Sequence, residues 1–335
     1  VTTKQGVFRE VGDGVYAYLQ SGSWGFSNAG LVAGRDTSLL VDTLYDLALT
    51  RRMLDVMERA TPAARHISTV VNTHANGDHC WGNAAVADAK IISSRNAALE
   101  MRELSPRLMA TLVRASRLIS RSGPLTRGLL GLLGRVGIGR AAALSQAASF
   151  VVEAFGAFDF AGVTLKLPTE TFDGRLTMSV GDKTLELIEV GPAHTKGDAI
   201  VYLPRERVAF SGDILFIGSH PIVWEGPVRN WIAACDRLLA LDVDVIVPGH
   251  GPLTDRAGVT ETKAYWETLV DVATRGLAAG ASPDAIVSEL LARDFGGWTE
   301  RGRLAVNVDT ICRELSGDRS ARDPLSLLAR MARVK

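Results

Sequence analysis

The order of strand and helix signals predicts an α/β fold in four layers, two sheets face to face with helices outside. Three observations carry that prediction. Apolar and polar residues alternate through the first 45 residues, and again from Val163, with glycine-rich turns between the runs. Each strand-rich region passes into segments of helical period, the order expected of a layered α/β domain. Between the two regions, residues 94 to about 157 are rich in Ala, Leu, Arg and Ser and lose the strand signal.

Taken in order, "GVFREV", "GVYAYLQ", "AGLVAG" and "TSLLVDT" read as the strands of a meander. From Asp46 to Ala60 the residues Leu47, Leu49, Met53, Leu54 and Met57 fall at helical spacing, and "HISTVVNTH" returns to a strand. This strand, helix, strand unit ends in a loop at a strand's carboxyl end, where sites of such sheets lie. Residues 94–157 read as a helical insertion. "RLMATLVRASRLISR" puts arginines on one face and apolar residues on the other, whereas the five glycines of "GLLGLLGRVGIG" favour a loop or a loose helix. The insertion is either a helical pair capping the sheet or a mobile lid over an apolar substrate. "VTLKLPTETF", "RLTMSV", "KTLELIEVG", "AIVYLP" and "RVAFSGD" then predict the second sheet. "NWIAACDRLLAL" is an amphipathic helix, "VDVIVPGHG" a short strand running into a loop, and residues 257–334 are mostly helical.

Composition narrows the function. Lysine plus arginine (37) equal aspartate plus glutamate (37), so no global field draws nucleic acid or an anionic membrane, and a small molecule is the expected partner. The three cysteines, Cys80, Cys235 and Cys312, are odd in number and form no CxxC pair, which suits a reducing compartment and predicts the cytoplasm. The apolar stretch from Leu129 to Phe158 is broken by Arg135, Arg140 and Glu153, short of the roughly 18 residues a membrane span needs. No basic region followed by an apolar core opens the chain.

Four of the six histidines sit where a predicted strand gives way to a loop: His74 and His79 in "THANGDH", His194 in "GPAHTKGD" and His250 in "PGHG". Metal chemistry asks for neutral imidazoles and carboxylates converging from several elements, and strand-end loops supply that convergence. Asp78 lies beside His79, and Asp213 ends the apolar run "RVAFSGD".

"LLVDT", "THANGDH", "GPAHTKGD", "FSGD" and "VPGHG", in this order, resemble the five motifs of the metallo-β-lactamase superfamily. The resemblance covers roughly residues 7–93 and 163–255, and is specific for fold and metal site rather than for substrate. It implies an αββα sandwich of the metallo-β-lactamase type. Residues 1–255 would form the catalytic domain, with 94–157 inserted, and 256–335 a C-terminal helical extension packing on the same domain. His74, position 76 and His194 would bind a first metal, Asp78, His79 and His250 a second, Asp213 would bridge both, and Asp42 would support them from behind. The family pattern is HxHxDH, whereas this chain reads HxNxDH. Asn76 offers a neutral oxygen, a weaker zinc donor than imidazole, which predicts unequal sites and one or two zinc ions per chain. Family members resembling flavodiiron proteins carry a carboxylate at this position; without that charge, zinc comes ahead of iron or manganese.

The resemblance further implies hydrolysis by a metal-bound hydroxide attacking a carbonyl, with Asp78 orienting it or moving its proton. The apolar insertion and the aromatics Trp24, Phe26, Phe216 and Trp224, with His220, would line a pocket for a bulky acyl group. A thioester, ester or lactone is therefore the expected substrate, free or carrier-bound as in polyketide release. β-Lactam hydrolysis, a di-iron redox protein and a catalytically silent scaffold stand as the alternatives. A second copy of the chain is left open as a partner.

Overall fold

The computed structural model describes residues 6–22, 24–103, 105–121, 139–320 and 324–334. The meander forms as the alternation predicts: β1 Val7–Gly12, β2 Val15–Leu19, β3 Ala29–Ala33 and β4 Ser38–Val41 pair antiparallel in sequence order. Helix α1 (Leu47–Ala60), capped by the Asp46 carboxylate on the Leu49 amide, crosses back to β5 (Ile67–Val71), which lies parallel to β4. The short helix α2 (Gly77–Cys80) follows, and then β6 (Lys90–Ser94) and β7 (Glu170–Phe172) add two further parallel strands, making seven in the first sheet.

The second sheet has five strands: β8 Arg175–Val180, β9 Lys183–Glu189, β10 Ala199–Leu203, β11 Val208–Phe216 and β12 Val245–His250, with β11 and β12 parallel. Two expectations change here. "VTLKLPTETF" does not begin this sheet: residues 163–169 form no strand, and Glu170–Phe172 extends the first sheet instead. The strand at Lys90–Ser94 gave no clear signal, because only Ile91 and Ile92 are apolar and its identity comes from pairing with β5.

The period of two sorts side chains between two cores. Val15, Ala17, Val32, Leu39, Val41 and Val71 of the first sheet meet Leu185, Leu187, Val201, Val208 and Phe210 of the second. Alternate residues, Leu31, Leu40, Val70 and Ala209 among them, face the outer helices. The insertion supplies α3 (Arg95–Glu100), α4 (Pro106–Arg121) and α5 (Gly139–Phe155). Residues 128–138 of its glycine-rich run lie outside the described residues. Helices α6 (Val228–Leu239), α7 (Arg256–Ala278), α8 (Pro283–Leu291), α9 (Leu304–Ser316) and α10 (Pro324–Arg333) complete the chain. Among the described residues no helix is long and apolar enough to cross a membrane, and the three cysteines are free and buried.

Candidate metal centre

The carboxyl ends of β4, β5 and β12, the interior of β11, α2 and the loop between β9 and β10 bring the predicted residues to one place. Asp213 stands at its middle. This residue does not end its strand as the sequence suggested, because the apolar residues Ile214, Leu215 and Phe216 carry β11 on to Phe216. His79 Nε2 is 3.0 Å from Asp213 Oδ1; the Nε2 atoms of His194, His250 and His74 lie 3.2, 3.4 and 3.7 Å from Asp213 Oδ2. His250 Nε2 is also 3.4 Å from Asp78 Oδ2. The ligand atoms of His74, His79 and Asp213, and those of Asp78, His79 and His250, each lie within 4.8 Å of one another. Gly249 is the residue that leaves space for this, since a Cβ there would stand 1.9 Å from Asp213 Oδ1.

The hydrogen bonds behind the rings fix which nitrogen faces inward. His194 Nδ1 lies 2.6 Å from the Ile222 carbonyl and His250 Nδ1 3.2 Å from the Phe26 carbonyl. A carbonyl only accepts, so both Nδ1 atoms carry the proton. His79 Nδ1 meets Asp42 Oδ2 at 2.9 Å. Thr73 Oγ1 gives its own proton to Asp42 Oδ2, so it accepts from His74 Nδ1 at 3.0 Å. All four rings therefore turn Nε2 toward carboxylate oxygens, the nitrogen that a neutral imidazole offers to a metal ion. The buried His74 Nε2, His79 Nε2 and Asp213 Oδ1 have no hydrogen-bond partner, as atoms that face a cation would. The donor set fits a metal ion.

Burial opposes ionisation of Asp213, yet the surrounding His250, His79, His74 and His194 hold its carboxyl well below the usual range. At His74 and His194 burial prevails and lowers the imidazole, while at His250 the Asp213 and Asp78 carboxylates overcome it and raise the ring to about 9. His79 is likewise raised despite its burial, by the Asp213 and Asp42 carboxylates, so positive charge is favoured on His79 and His250 and disfavoured on His74 and His194.

Asn76, at the N-cap of α2, does not turn its oxygen to the centre in the manner the sequence suggested. Its Nδ2 lies 2.9 Å from His194 Nε2, and since Nδ1 of that ring is the protonated nitrogen, the amide donates. The lone pair His194 would offer a metal is thus capped, and His194 belongs to neither close ligand group.

Asp42 accepts from the Thr73 amide, Thr73 Oγ1 and His79 Nδ1, at 2.7, 2.7 and 2.9 Å, and its φ of 61° is a strained left-handed value at the end of β4. Phe216 lies flat on His250 with ring centroids 4.8 Å apart. Trp24 is wedged between Arg303, 4.3 Å from its ring, and Phe150 and Phe155 of α5. The Phe26 ring meets Phe158, and Trp224, partly buried, gives its amide to the His194 carbonyl. His220 is buried instead among Tyr265, Phe295 and Trp298, its Nδ1 3.2 Å from the Tyr265 hydroxyl.

Three supports had no sequence signal. Asn307 of α9 accepts from the Val223 amide and donates to the Pro221 carbonyl, bracketing Ile222, whose own carbonyl orients His194. Arg303 donates to the His220 carbonyl, and Asn72 Nδ2 to the His79 carbonyl. A cluster of amide and guanidinium donors more than 80 residues downstream thus holds the loop after Asp213.

The metallo-beta-lactamase superfamily model matches residues 22–250. The chain is 35% identical over 152 residues to the 2,4-dinitroanisole O-demethylase subunit alpha of Nocardioides sp., covering 42% of this chain and 46% of that protein. It is 26% identical over 276 residues to the linear primary-alkylsulfatase of Pseudomonas sp., covering 78% and 49%. The structure of the stereoselective inverting sec-alkylsulfatase Pisa1 from Pseudomonas sp. superposes with a TM-score of 0.65 at 16% identity, covering 95% of this chain and 52% of that one. The chain spans about half the length of these curated relatives.

Proposed function

This chain belongs to the metallo-beta-lactamase superfamily, and from that membership we propose that it is a metal-dependent hydrolase of an ester carrying a bulky apolar group, with a thioester, carboxylic ester or lactone foremost. The observation that carries the reading is the set of four imidazoles held by their Nδ1 protons with every Nε2 turned toward Asp213 or Asp78. A bound divalent ion would supply Lewis acidity and acidify a water molecule; zinc suits the nitrogen and oxygen donors. Asp78, His79, His250 and Asp213 would hold the tighter ion, His74 and His194 a weaker one because Asn76 competes for His194.

Of the histidines and aspartates here, Asp78 and His250 keep the most exposure, 9% each, so water and substrate approach from their side. Asp78 would orient the attacking water and take its proton. The aromatic group of Tyr45, Trp81, Phe155, Phe158 and Phe160 adjoins α2 and supports an apolar substrate group. Residues 1–255 would be the catalytic domain with 94–157 inserted, and 256–335 its helical extension.

A second reading, hydrolysis of an alkyl sulfate, draws on the alignment with the linear primary-alkylsulfatase across 78% of this chain. Both readings are tested by elemental analysis of protein purified without chelator, with turnover of aryl thioesters, aryl esters, lactones, a chromogenic cephalosporin and alkyl sulfates. Zinc with acyl-ester turnover supports the first reading, and sulfate release alone supports the second. Iron without hydrolysis would overturn both. Asp78→Asn is expected to lower turnover by more than about a hundredfold, the usual size of a lost general base, and far more than Asn76→His does; equal losses would sink these roles.

A further inference from the structure

The charges of this chain cancel in total but not along its length. Between Glu103 and Glu153 the sequence contains no aspartate or glutamate. Helix α4 lies in that stretch and carries Arg107, Arg114, Arg117 and Arg121, all exposed, while Val113 and Ser116 turn inward. Arg117 donates to the Gly156 carbonyl; Arg107, Arg114 and Arg121 have no acidic partner among the described residues. Glu103, the nearest acid before the helix, is engaged by Lys196.

A merely solvated helix face mixes its signs, as other helices of this chain do. Lys263 pairs with Glu267 and Arg275 with Asp271 on α7, and Glu289 with Arg293 across the end of α8. The α4 face differs in sign and in apolar content. Leu108 and Leu118 stand 67% and 72% exposed among the arginines, and Leu99 of α3 is 55% exposed, so three of the five large exposed apolar residues described lie on the insertion.

We propose that this basic, leucine-bearing face of α4 docks the protein on an anionic lipid surface. Guanidinium groups complement lipid phosphates and carboxylates, and isolated leucines between them enter the interface while the arginine stems lie along it. A protein partner binding a helix face reads apolar anchors one turn apart. Leu108 and Leu118 are ten positions apart on the helix, about 15 Å along its axis, which suits a bilayer better than a groove. Helix α4 packs on α5, whose Phe150 and Phe155 meet Trp24 beside the metal centre, so docking would bring the aromatic side of the site toward the lipid. The inference holds whichever ester is cleaved.

The test is flotation of the full chain with vesicles of phosphatidylcholine alone and of phosphatidylcholine containing phosphatidylserine. Each arginine at an anionic surface contributes roughly fivefold to partitioning, the equivalent of about 1 kcal/mol. The expected result is binding to the anionic vesicles only, weakened by salt. Charge reversal by Arg114→Glu with Arg121→Glu should reduce it more than about tenfold, and Leu108→Ser with Leu118→Ser several-fold, with thermal unfolding of both variants unchanged. Equal binding to neutral and anionic vesicles, no binding at low salt, or full binding by the charge-reversed variant would overturn the proposal. So would absence of vesicle binding together with a dimer in sedimentation that the charge reversal dissolves, since the face would then belong to a second copy of the chain.

Discussion

At position 76 one amide decides what His194 offers. Because the Ile222 carbonyl holds the proton on Nδ1, the Asn76 amide occupies the remaining lone pair. An imidazole in its place would add a donor and release His194, so Asn76→His is expected to raise bound zinc by about one ion per chain, read by elemental analysis after dialysis. Unchanged stoichiometry would show that the cap does not limit the first site. His220 makes a different prediction. Burial, then the Arg303 and Arg301 cations, push its imidazole down to about 4, so it is neutral in the folded chain, whereas an unfolded chain takes up that proton near 6.5. Its contribution is complete above pH 6.5 and is lost as pH falls toward 4, by up to about 3 kcal/mol. His220→Gln should flatten the stability profile across that window in chemical denaturation, and an unaltered slope would assign the acid sensitivity elsewhere.

Among elements, α9 governs the loop after β11 through Asn307. Its side chain is fully buried and meets the Val223 amide at 3.0 Å, the Pro221 carbonyl at 2.8 Å and the Tyr265 hydroxyl at 3.0 Å. Removing it strands buried polar groups on both sides of Ile222, which costs on the order of 3 kcal/mol. Asn307→Ala is therefore expected to lower stability by about that amount and to loosen the Nδ1 bond of His194, seen as tautomer exchange in imidazole nitrogen NMR shifts. Lost stability with an unchanged His194 spectrum would confine Asn307 to packing. Helix α4 shows the opposite dependence, its outward face being a matter of local charge that a neutral total conceals.

For the molecule as a whole, the contact between the two sheets sets the separation of the ligand-bearing strand ends. Gly30 of β3 lies under Phe210 of β11, and a Cβ there would stand 2.0 Å from the ring. Gly30→Ala must displace Phe210 or part the sheets, an overpacking that costs about 1–3 kcal/mol. Thermal unfolding would report the loss, and a weaker metal affinity with it would show that sheet spacing reaches the centre three residues along β11 at Asp213. A stability change without any change in metal affinity would mean that the strand ends adjust independently.

The sequence by itself determined the strands whose side chains alternate between two cores, the helices with one apolar face, and the polar residues that follow or interrupt apolar runs: His74, Asp78, His79, His194, Asp213 and His250. Each of these leaves a local pattern, because periodicity and abrupt polarity are properties of neighbouring residues. Strand β6 and the three residues of β7 were decided by pairing, since neither has enough alternating positions to declare itself. The carbonyls of Ile222 and Phe26 that fix two imidazole tautomers carry no side-chain signal at all. Asn307, Arg303 and the amide orientation of Asn76 acquire their roles only from groups distant in the chain. Only the tertiary structure brings those donors and acceptors within hydrogen-bond reach, because such bonds depend on proximity in space and direction rather than on spacing in sequence.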